Sequence, residues 1–129
     1  MASGTIKNEL SNVNAFFSST FSGETAIGTG IGCGFIHNLP KGLYLINSQI
    51  NFTRNANQGT RRSLYFGDTS LSQANILMDT LDGAWLPMWN TVIAYIDSTK
   101  DIYFTLTSTD SSDTFNGAYF SAIKLRDSI

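Results

Sequence analysis

The sequence contains few of the residues that cross-link, kink or ligate a folded chain. Its 129 residues include one cysteine, two prolines and one histidine. A single cysteine, Cys33, cannot form an internal disulfide bond. A chain of this length nevertheless buries about two-thirds of its unfolded surface, which suffices for one domain held together by its core alone.

Charge is scarce as well, and this limits the partners of the chain. Charged residues make up 14% of the sequence and the net charge is −2, whereas about 25% is typical of soluble domains. Arg61 and Arg62 form the only adjacent basic pair. Because nucleic-acid binding needs a face of lysines and arginines to neutralise phosphates, we expect no nucleic-acid partner. Ser, Thr and Asn replace the missing charges, which suits an extracellular or virion surface better than a cytosolic enzyme.

Long apolar runs are absent. No segment approaches the roughly 18 consecutive apolar residues of a membrane span, so we expect no membrane insertion. The N-terminal sequence M-A-S-G-T-I-K-N-E-L lacks a basic region followed by an apolar segment. It is therefore not expected to act as a signal peptide.

Catalytic and metal-binding groups are too few for an enzyme. On one strand, Cys33 and His37 would lie about 13 Å apart, which prevents a direct hydrogen bond. One cysteine and one histidine cannot supply the ligands that a zinc site needs. Asp110 and Asp113 share a loop, but without the ligand spacing of a calcium-binding loop. We therefore predict no enzymatic activity, no catalytic residue, no metal site and no cofactor.

The clearest local pattern runs from Gly42 to Phe52. Polar Asn47, Gln49 and Asn51 occupy one parity, and mostly apolar residues occupy the other. Alternation of this kind places the two sets on opposite faces of a β-strand. We predict a long strand whose packed face consists of Tyr44, Ile46, Ser48, Ile50 and Phe52.

The remaining segments predict further strands and no helix. Apolar or alternating runs separated by turn residues cover positions 14–21, 26–36, 61–66, 89–96, 102–107 and 117–125. The turn at 54–60, rich in Asn and Gly, predicts a hairpin between the strands 42–52 and 61–66. Short strands at regular spacing are typical of an all-β antiparallel sandwich or jelly roll.

Glycine alternates with larger residues from Gly28 to Gly34. A dinucleotide-binding loop needs the spacing G-x-G-x-x-G before a helix, whereas this run reads G-x-G-x-G-x-G. We interpret it as a strand whose glycine face lies against a backbone or an aromatic ring.

Two strands are more hydrophobic than a single core face requires. Val92 to Ile96 and Tyr119 to Ile123 carry apolar side chains on both parities. Since the outer faces of a sandwich are normally polar, this indicates that another subunit covers one outer face. The alternative is an aromatic-lined core with a few exposed apolar residues, which is common.

A saccharide site would combine an aromatic ring, which covers the apolar face of a sugar, with polar groups for the sugar hydroxyls. Trp85 lies in a turn-rich segment and is predicted to be exposed, whereas Trp89 begins a strand and is predicted to lie in the core. For each candidate singly, a plain surface or structural role is the alternative. The candidate saccharide-binding residues are Trp85, Asp82, Arg61, Asn57, Asp110 and Asp113.

The order of several segments resembles a known family. These segments are L-P-K-G-L-Y-L-I from Leu39, I-N-F-T-R-N-A-N-Q-G-T-R-R-S-L-Y from Ile50, W-N-T-V-I-A-Y-I from Trp89, D-I-Y-F-T-L from Asp101 and G-A-Y-F-S-A-I-K-L from Gly117. Together they are similar to the jelly-roll heads of the complement-globular-head and tumour-necrosis-factor type. The versions at the ends of bacteriophage tail fibres and receptor-binding proteins are the most similar. The family's Gly-Asp pair before the penultimate strand is replaced here, and only its Asp is kept.

The resemblance implies an all-β antiparallel jelly roll that assembles as a homotrimer through the flat faces of three copies. It implies that residues 1–20 lead in from a shaft or linker and that residues 21–129 form the head domain. It also implies a place at the virion tail tip and binding to a host cell-wall or capsule saccharide. The residues expected at the trimer interface are Val92, Ala94, Ile96, Tyr119, Ser121 and Ile123.

Two other functions remain open at this point. The chain could be the trimeric head of a cellular complement-like protein that binds protein or caps a stalk. It could also be a monomeric carbohydrate-binding module of a glycosidase. A collagen-like repeat before the head would favour the first of these, and a monomer in solution would favour the second.

Overall fold

The computed structural model describes residues 4–6, 16–28, 30–52, 59–68, 75–80 and 88–128. Within them the chain forms no helix, as predicted, and nine β-strands, two more than the seven predicted. The strands are β1 (Gly4–Ile6), β2 (Phe16–Ala26), β3 (Ile31–Leu39), β4 (Gly42–Phe52), β5 (Arg62–Gly67), β6 (Asn75–Thr80), β7 (Met88–Ile96), β8 (Lys100–Ser108) and β9 (Thr114–Arg126).

The strands form two sheets that pack face to face. The five-stranded sheet has the order β1-β2-β9-β4-β7, and the four-stranded sheet has the order β3-β8-β5-β6. Every pairing is antiparallel. From β2 onward the chain changes sheet at each connection except that between β5 and β6. This arrangement confirms the predicted jelly-roll sandwich.

β4 confirms the strongest local prediction. It extends from Gly42 to Phe52, and its buried and half-buried residues alternate without interruption. The buried set contains Gly42, Tyr44, Ile46, Ser48, Ile50 and Phe52, while Leu43, Leu45, Asn47, Gln49 and Asn51 lie on the half-buried face. β4 lies between β9 and β7, so its buried face contributes to the centre of the core.

The predicted hairpin between β4 and β5 is wrong. β4 pairs with β7 and β9, whereas β5 lies between β6 and β8 in the other sheet. Each of the two strands buries one face against the same core. Two strands bury these faces equally well whether they pair in one sheet or face each other from the two sheets. The composition of the turn alone therefore does not predict whether β4 and β5 form a hairpin.

β2 runs through the domain boundary that we expected after residue 20. It pairs with β9 from Phe16 to Ala26, and Phe17 is completely buried. Strand β1 pairs with β2 through Gly4 to Ile6. The five-stranded sheet thus includes residues of the expected lead-in. The interval between the strands predicted at 14–21 and 26–36 is not a turn but an irregularity within β2, where the register with β9 shifts between Phe21 and Glu24.

The core is closed by aromatic contacts between the sheets. The rings of Phe104 on β8 and Phe120 on β9 stack with centroids 4.0 Å apart and an interplanar angle of 8°. Gly34 on β3 lies directly beside this stack, since a Cβ atom added there would come within 2.9 Å of the Phe120 ring. The prediction of a glycine face against an aromatic ring is therefore confirmed at Gly34.

The sandwich has two opposite ends, which we define by the strands of the five-stranded sheet that begin or finish there. At the loop end, β2 and β4 finish at Ala26 and Phe52, and β7 and β9 begin at Met88 and Thr114. At the opposite end, β2 begins at Phe16 and β9 finishes at Arg126.

Candidate binding face

The exposed apolar residues are concentrated on the outer face of the five-stranded sheet. Among the described residues, four large hydrophobic side chains are at least one-third exposed: Trp89 (63%), Ile93 (64%), Tyr119 (41%) and Leu125 (36%). Trp89 and Ile93 lie on the edge strand β7, and Tyr119 and Leu125 lie on the central strand β9. Strand alternation turns all of them away from the core, toward the same side of the sheet.

The register of the sheet divides this face into two halves. Residues that pair directly across strands share a face, so the pairings define rows across the sheet. We call one part of the face the apolar half: the row Phe16, Ile123, Leu45 and Ile93, together with Leu43, Tyr95 and Leu125. We call the other part the polar half: the rows Ser18, Ser121, Asn47 and Thr91, and Thr20, Tyr119, Gln49 and Trp89. The polar half lies toward the loop end.

The polar half contains an open groove of about 590 Å³. This volume falls within the roughly 300–1,000 Å³ of small-molecule sites. Its walls include two aromatic rings, three carboxamides and three aliphatic hydroxyl groups, and no charged side chain lines it among the described residues. The lining residues with outward parity are Asn47, Gln49, Trp89, Thr91, Tyr119 and Ser121.

Hydrogen bonds between side chains fix the floor of the groove. The Asn47 carboxamide donates to Ser121 Oγ at 3.4 Å and accepts a hydrogen bond from Thr91 Oγ1 at 2.7 Å. The Gln49 carboxamide donates to Asn51 Oδ1 at 3.0 Å. These bonds connect β7, β4 and β9, so the polar groups of the floor are held in position before any ligand binds.

The prediction that Trp89 lies in the core is wrong. Met88 and Ile96 are buried, and Val92 and Ala94 pack against the core cluster. Trp89 has the opposite parity and points outward. The sequence contains no signal for this, because each parity of β7 is largely apolar and each contains one polar residue, Asn90 on one and Thr91 on the other.

The same parity corrects half of the predicted interface. Val92, Ala94 and Ile96 face the core, so they cannot contact another copy through the outer face. Tyr119, Ser121 and Ile123 do point outward and pair with Gln49, Asn47 and Leu45 of β4. The residues of β7 that point outward are instead Trp89, Thr91, Ile93 and Tyr95.

Asp113, which we predicted to bind saccharide, instead belongs to the interior. Its carboxylate accepts two hydrogen bonds from Arg62, from Nε at 2.7 Å and from Nη2 at 2.8 Å, and the two side chains are 0% and 1% exposed. Ser108 Oγ and the Thr114 amide also donate to it. The Arg62 guanidinium lies 3.7 Å from the centre of the Phe52 ring. The carboxylate is needed because a buried guanidinium without an anion is costly.

The other predicted saccharide-binding residues divide into two groups. Arg61 and Asp110 both lie at the loop end, where the Arg61 amide donates to Thr109 Oγ1 at 2.8 Å and the Thr109 amide donates to the Arg61 carbonyl at 3.0 Å. Asp110 accepts hydrogen bonds from the amide and the hydroxyl of Ser112. These residues belong to a separate set of contacts from the groove. Asn57, Asp82 and Trp85 lie outside the described residues.

Cys33 and His37 make separate contacts. Cys33 is completely buried, and its thiol donates to the Phe104 carbonyl at 3.5 Å. Burial raises the pKa of this thiol to about 12, so the reactive thiolate does not form near neutral pH. His37 is exposed and its Nδ1 lies 2.7 Å from Asp101 Oδ1, a carboxylate that the sequence pattern did not reveal.

Within the part of the chain that the structure describes, no group of three or more His, Cys, Asp and Glu side chains is arranged to hold a metal ion. The same residues include no helix with the length and hydropathy of a membrane span.

Sequence comparisons find no relative: no family model matches the chain, and no curated protein matches it. Its structure is similar to a chain in the acid-stable capsid structure of Helicobacter pylori bacteriophage KHP30, with a TM-score of 0.54 and 12% identity over 98% of this chain and 94% of that chain. Eiger TNF from S. frugiperda gives a TM-score of 0.52 and 12% identity over 87% and 94% of the two chains. A chain of the infectious bursal disease virus Gx strain gives 0.52 and 11% identity over 95% of this chain and 32% of that chain. At these identities the similarity establishes the jelly-roll fold alone.

Proposed function

We propose that this chain is the head of a homotrimeric receptor-binding protein of a phage, which attaches to a saccharide on the host surface and carries out no catalysis. The observation that carries the proposal is the concentration of exposed apolar side chains on one face of one sheet. An isolated sandwich normally has polar outer faces, and extended apolar patches mark interaction surfaces.

Self-association explains the position of the most exposed of these residues. Ile93 is 64% exposed on the edge strand β7, next to Leu45 in the same row. Within the described residues, no strand pairs with the free edge of β7. A second copy placed against the apolar half would remove Ile93, Leu45 and their neighbours from water, with a gain of about 25 cal/mol for each Å² of apolar surface.

Threefold symmetry and attachment come from the family resemblance. In that family, three copies pack their flat faces around an axis, and the outer face of the five-stranded sheet is the flat face available here. A shaft would precede β1, which joins the edge of the five-stranded sheet through Gly4 to Ile6. The expectation that the head attaches to a host surface likewise comes from the resemblance.

A second candidate function is a trimer that covers a viral particle or a stalk without binding a host. The similarity in fold and length to a chain from a phage capsid favours this candidate. Both functions place the chain on a virion, and both need the same self-association. They differ in whether the isolated head binds bacterial cells.

The first experiment is absolute mass by light scattering on a sizing column. We expect about three times the 14.1 kDa mass of the chain. Ile93→Asp should give a folded monomer, because a carboxylate cannot be buried in the apolar half without a partner. Thr99→Asp, in the exposed turn between β7 and β8, is the matched control and should remain trimeric.

Binding to bacteria then separates the two functions. Labelled wild-type trimer should bind cells of a susceptible strain, and free cell-wall saccharide should compete. A wild-type protein that is monomeric at working concentration would refute the trimeric head. A trimer that binds no cells would favour the covering function instead.

A further inference from the structure

The two halves of the outer face differ in what can cover them. The apolar half carries aliphatic and aromatic side chains in continuous rows, which a second copy can bury without leaving polar groups unpaired. The polar half carries carboxamides and hydroxyls around a groove of about 590 Å³. A flat apolar partner would leave that space unfilled and its polar groups dehydrated, at a cost of about 1–3 kcal/mol for each unpaired group.

The groove presents two aromatic rings that remain accessible. Trp89 is 63% exposed and Tyr119 is 41% exposed. Gln49 pairs with both of them across the sheet, so the two rings flank one carboxamide. No described residue forms a hydrogen bond with Trp89 Nε1 or Tyr119 Oη, so both polar groups can bond a ligand. Rings in this position can cover the apolar C–H face of a sugar, while their polar ends reach its hydroxyls.

The charge of the lining selects the class of ligand. Among the described residues, none of those that line the groove is Asp, Glu, Lys or Arg. An acidic sugar or a phosphate-containing polymer would lose its hydration there without gaining a countercharge. An uncharged sugar has only neutral polar groups, mainly hydroxyls and ether oxygens, which carboxamides and hydroxyls can match in both donor and acceptor roles.

We propose that the polar half of the outer face is a binding site for an uncharged saccharide, with Trp89 and Tyr119 as stacking rings and with Gln49 and Asn47 as the groups that bond its hydroxyls. This site rests on the proposed receptor-binding trimer and gives it a location and a ligand class. A trimer carries three such grooves near its loop end, so that weak single sites combine into firm attachment to a polymer.

The test uses the wild-type trimer and an array of neutral oligosaccharides of glucose, galactose and mannose, alongside acidic oligosaccharides and teichoic-acid fragments. We expect binding to neutral members only. Trp89→Ala should weaken that binding about tenfold or more, because Trp is enriched among the residues that contribute most to binding energy. Trp89→Phe, which keeps a ring, should retain part of it. Tyr103→Ala, which removes a ring from the outer face of the other sheet, should bind as wild type does.

Mass measurements on the same variants separate the failure of this site from the failure of the trimer. We expect Trp89→Ala and Tyr119→Ala to remain trimeric. If either variant becomes monomeric while the wild type is trimeric, the groove is part of the interface and the site is refuted, although the trimer stands. Binding to acidic members only, unchanged binding by Trp89→Ala, or no binding to the array would also refute the site. A monomeric wild type would refute the receptor-binding trimer itself.

Discussion

The two ends of the sandwich contain ion pairs of equal length in different surroundings. At the loop end, Arg62 and Asp113 are joined at 2.7 Å with side chains that are 1% and 0% exposed. At the opposite end, Lys100 and Asp97 are also joined at 2.7 Å, but their side chains are 26% and 71% exposed. Water screens the second pair and not the first. We therefore expect the contribution of each ion pair to stability to follow its burial and not its length.

The buried pair also has a structural task that the exposed pair lacks. Asp113 receives hydrogen bonds from β5, β8 and β9, and its own carbonyl accepts one from the Ile27 amide after β2. Arg62 covers the Phe52 ring at the end of β4. The pair thus connects strands of both sheets below the end of the molecule where the proposed saccharide site lies.

Removing the buried carboxylate should have the largest effect. We expect Asp113→Ala to lower the free energy of unfolding by about 3–5 kcal/mol, because the Arg62 charge stays buried without that carboxylate. Urea denaturation measures the loss. The matched control is Asp97→Ala at the opposite end, which should change the urea midpoint little. Equal losses in the two variants would contradict the comparison.

Replacing both members of the buried pair should restore part of the stability. In Arg62→Met combined with Asp113→Leu, no charge remains in the interior, and apolar contacts replace the pair. We expect this double variant to exceed Asp113→Ala by about 1 kcal/mol or more in the same urea experiment. A double variant less stable than Asp113→Ala would show that charge burial is not the main cost.

A buried neutral hydrogen bond at the opposite end should rank between the two ion pairs. Tyr44 is completely buried, and its hydroxyl donates to the Pro40 carbonyl at 2.7 Å. Tyr44→Phe leaves that carbonyl without this donor, which should cost about 1–3 kcal/mol. A loss as large as that of Asp113→Ala would mean that the opposite end is as tightly held as the loop end.

The exposed pair should give the smallest effect, and one that depends on pH. Lys100, through its hydrogen bond and its charge, lowers the pKa of Asp97 below the ordinary value of 3.8. A carboxyl whose pKa is lowered by folding stabilises the protein above its ordinary pKa, and this contribution is lost as the pH falls through the lowered value. The melting temperature of Asp97→Asn should therefore lie slightly below that of the wild type near neutral pH. The difference should vanish in acid, and a difference that grows in acid would contradict this assignment.

The strand β4 shows how far local sequence can predict this fold. Its alternation gave both ends and both faces correctly, because the period of a strand is a property of the backbone. β7 shows the limit. Both of its parities are largely apolar. Alternation therefore predicts which residues share a face, but it does not predict which face packs against the core. The predicted interface contained Val92, Ala94 and Ile96 for this reason, and Trp89 was assigned to the core.

Asp113 shows a second limit. Its loop position and its charge are those of a solvent-exposed carboxylate, and its partner Arg62 lies 51 residues earlier in the chain. Nothing local to either residue predicts that β5 and the start of β9 meet at the loop end. The groove could not be predicted for the same reason. Its lining comes from β9, β4 and β7, which are adjacent in the sheet but far apart in the sequence.

By itself, then, the sequence determined an all-β chain of short strands and the order of segments typical of a jelly roll. These follow from the two-residue period of strands and from turn residues, both of which act over a few positions. The tertiary structure alone decided which strands pair, which face of β7 is wet, and which carboxylate is buried. Those outcomes depend on contacts between segments far apart in the sequence. The free energy of these contacts depends on how much apolar surface the whole sandwich removes from water.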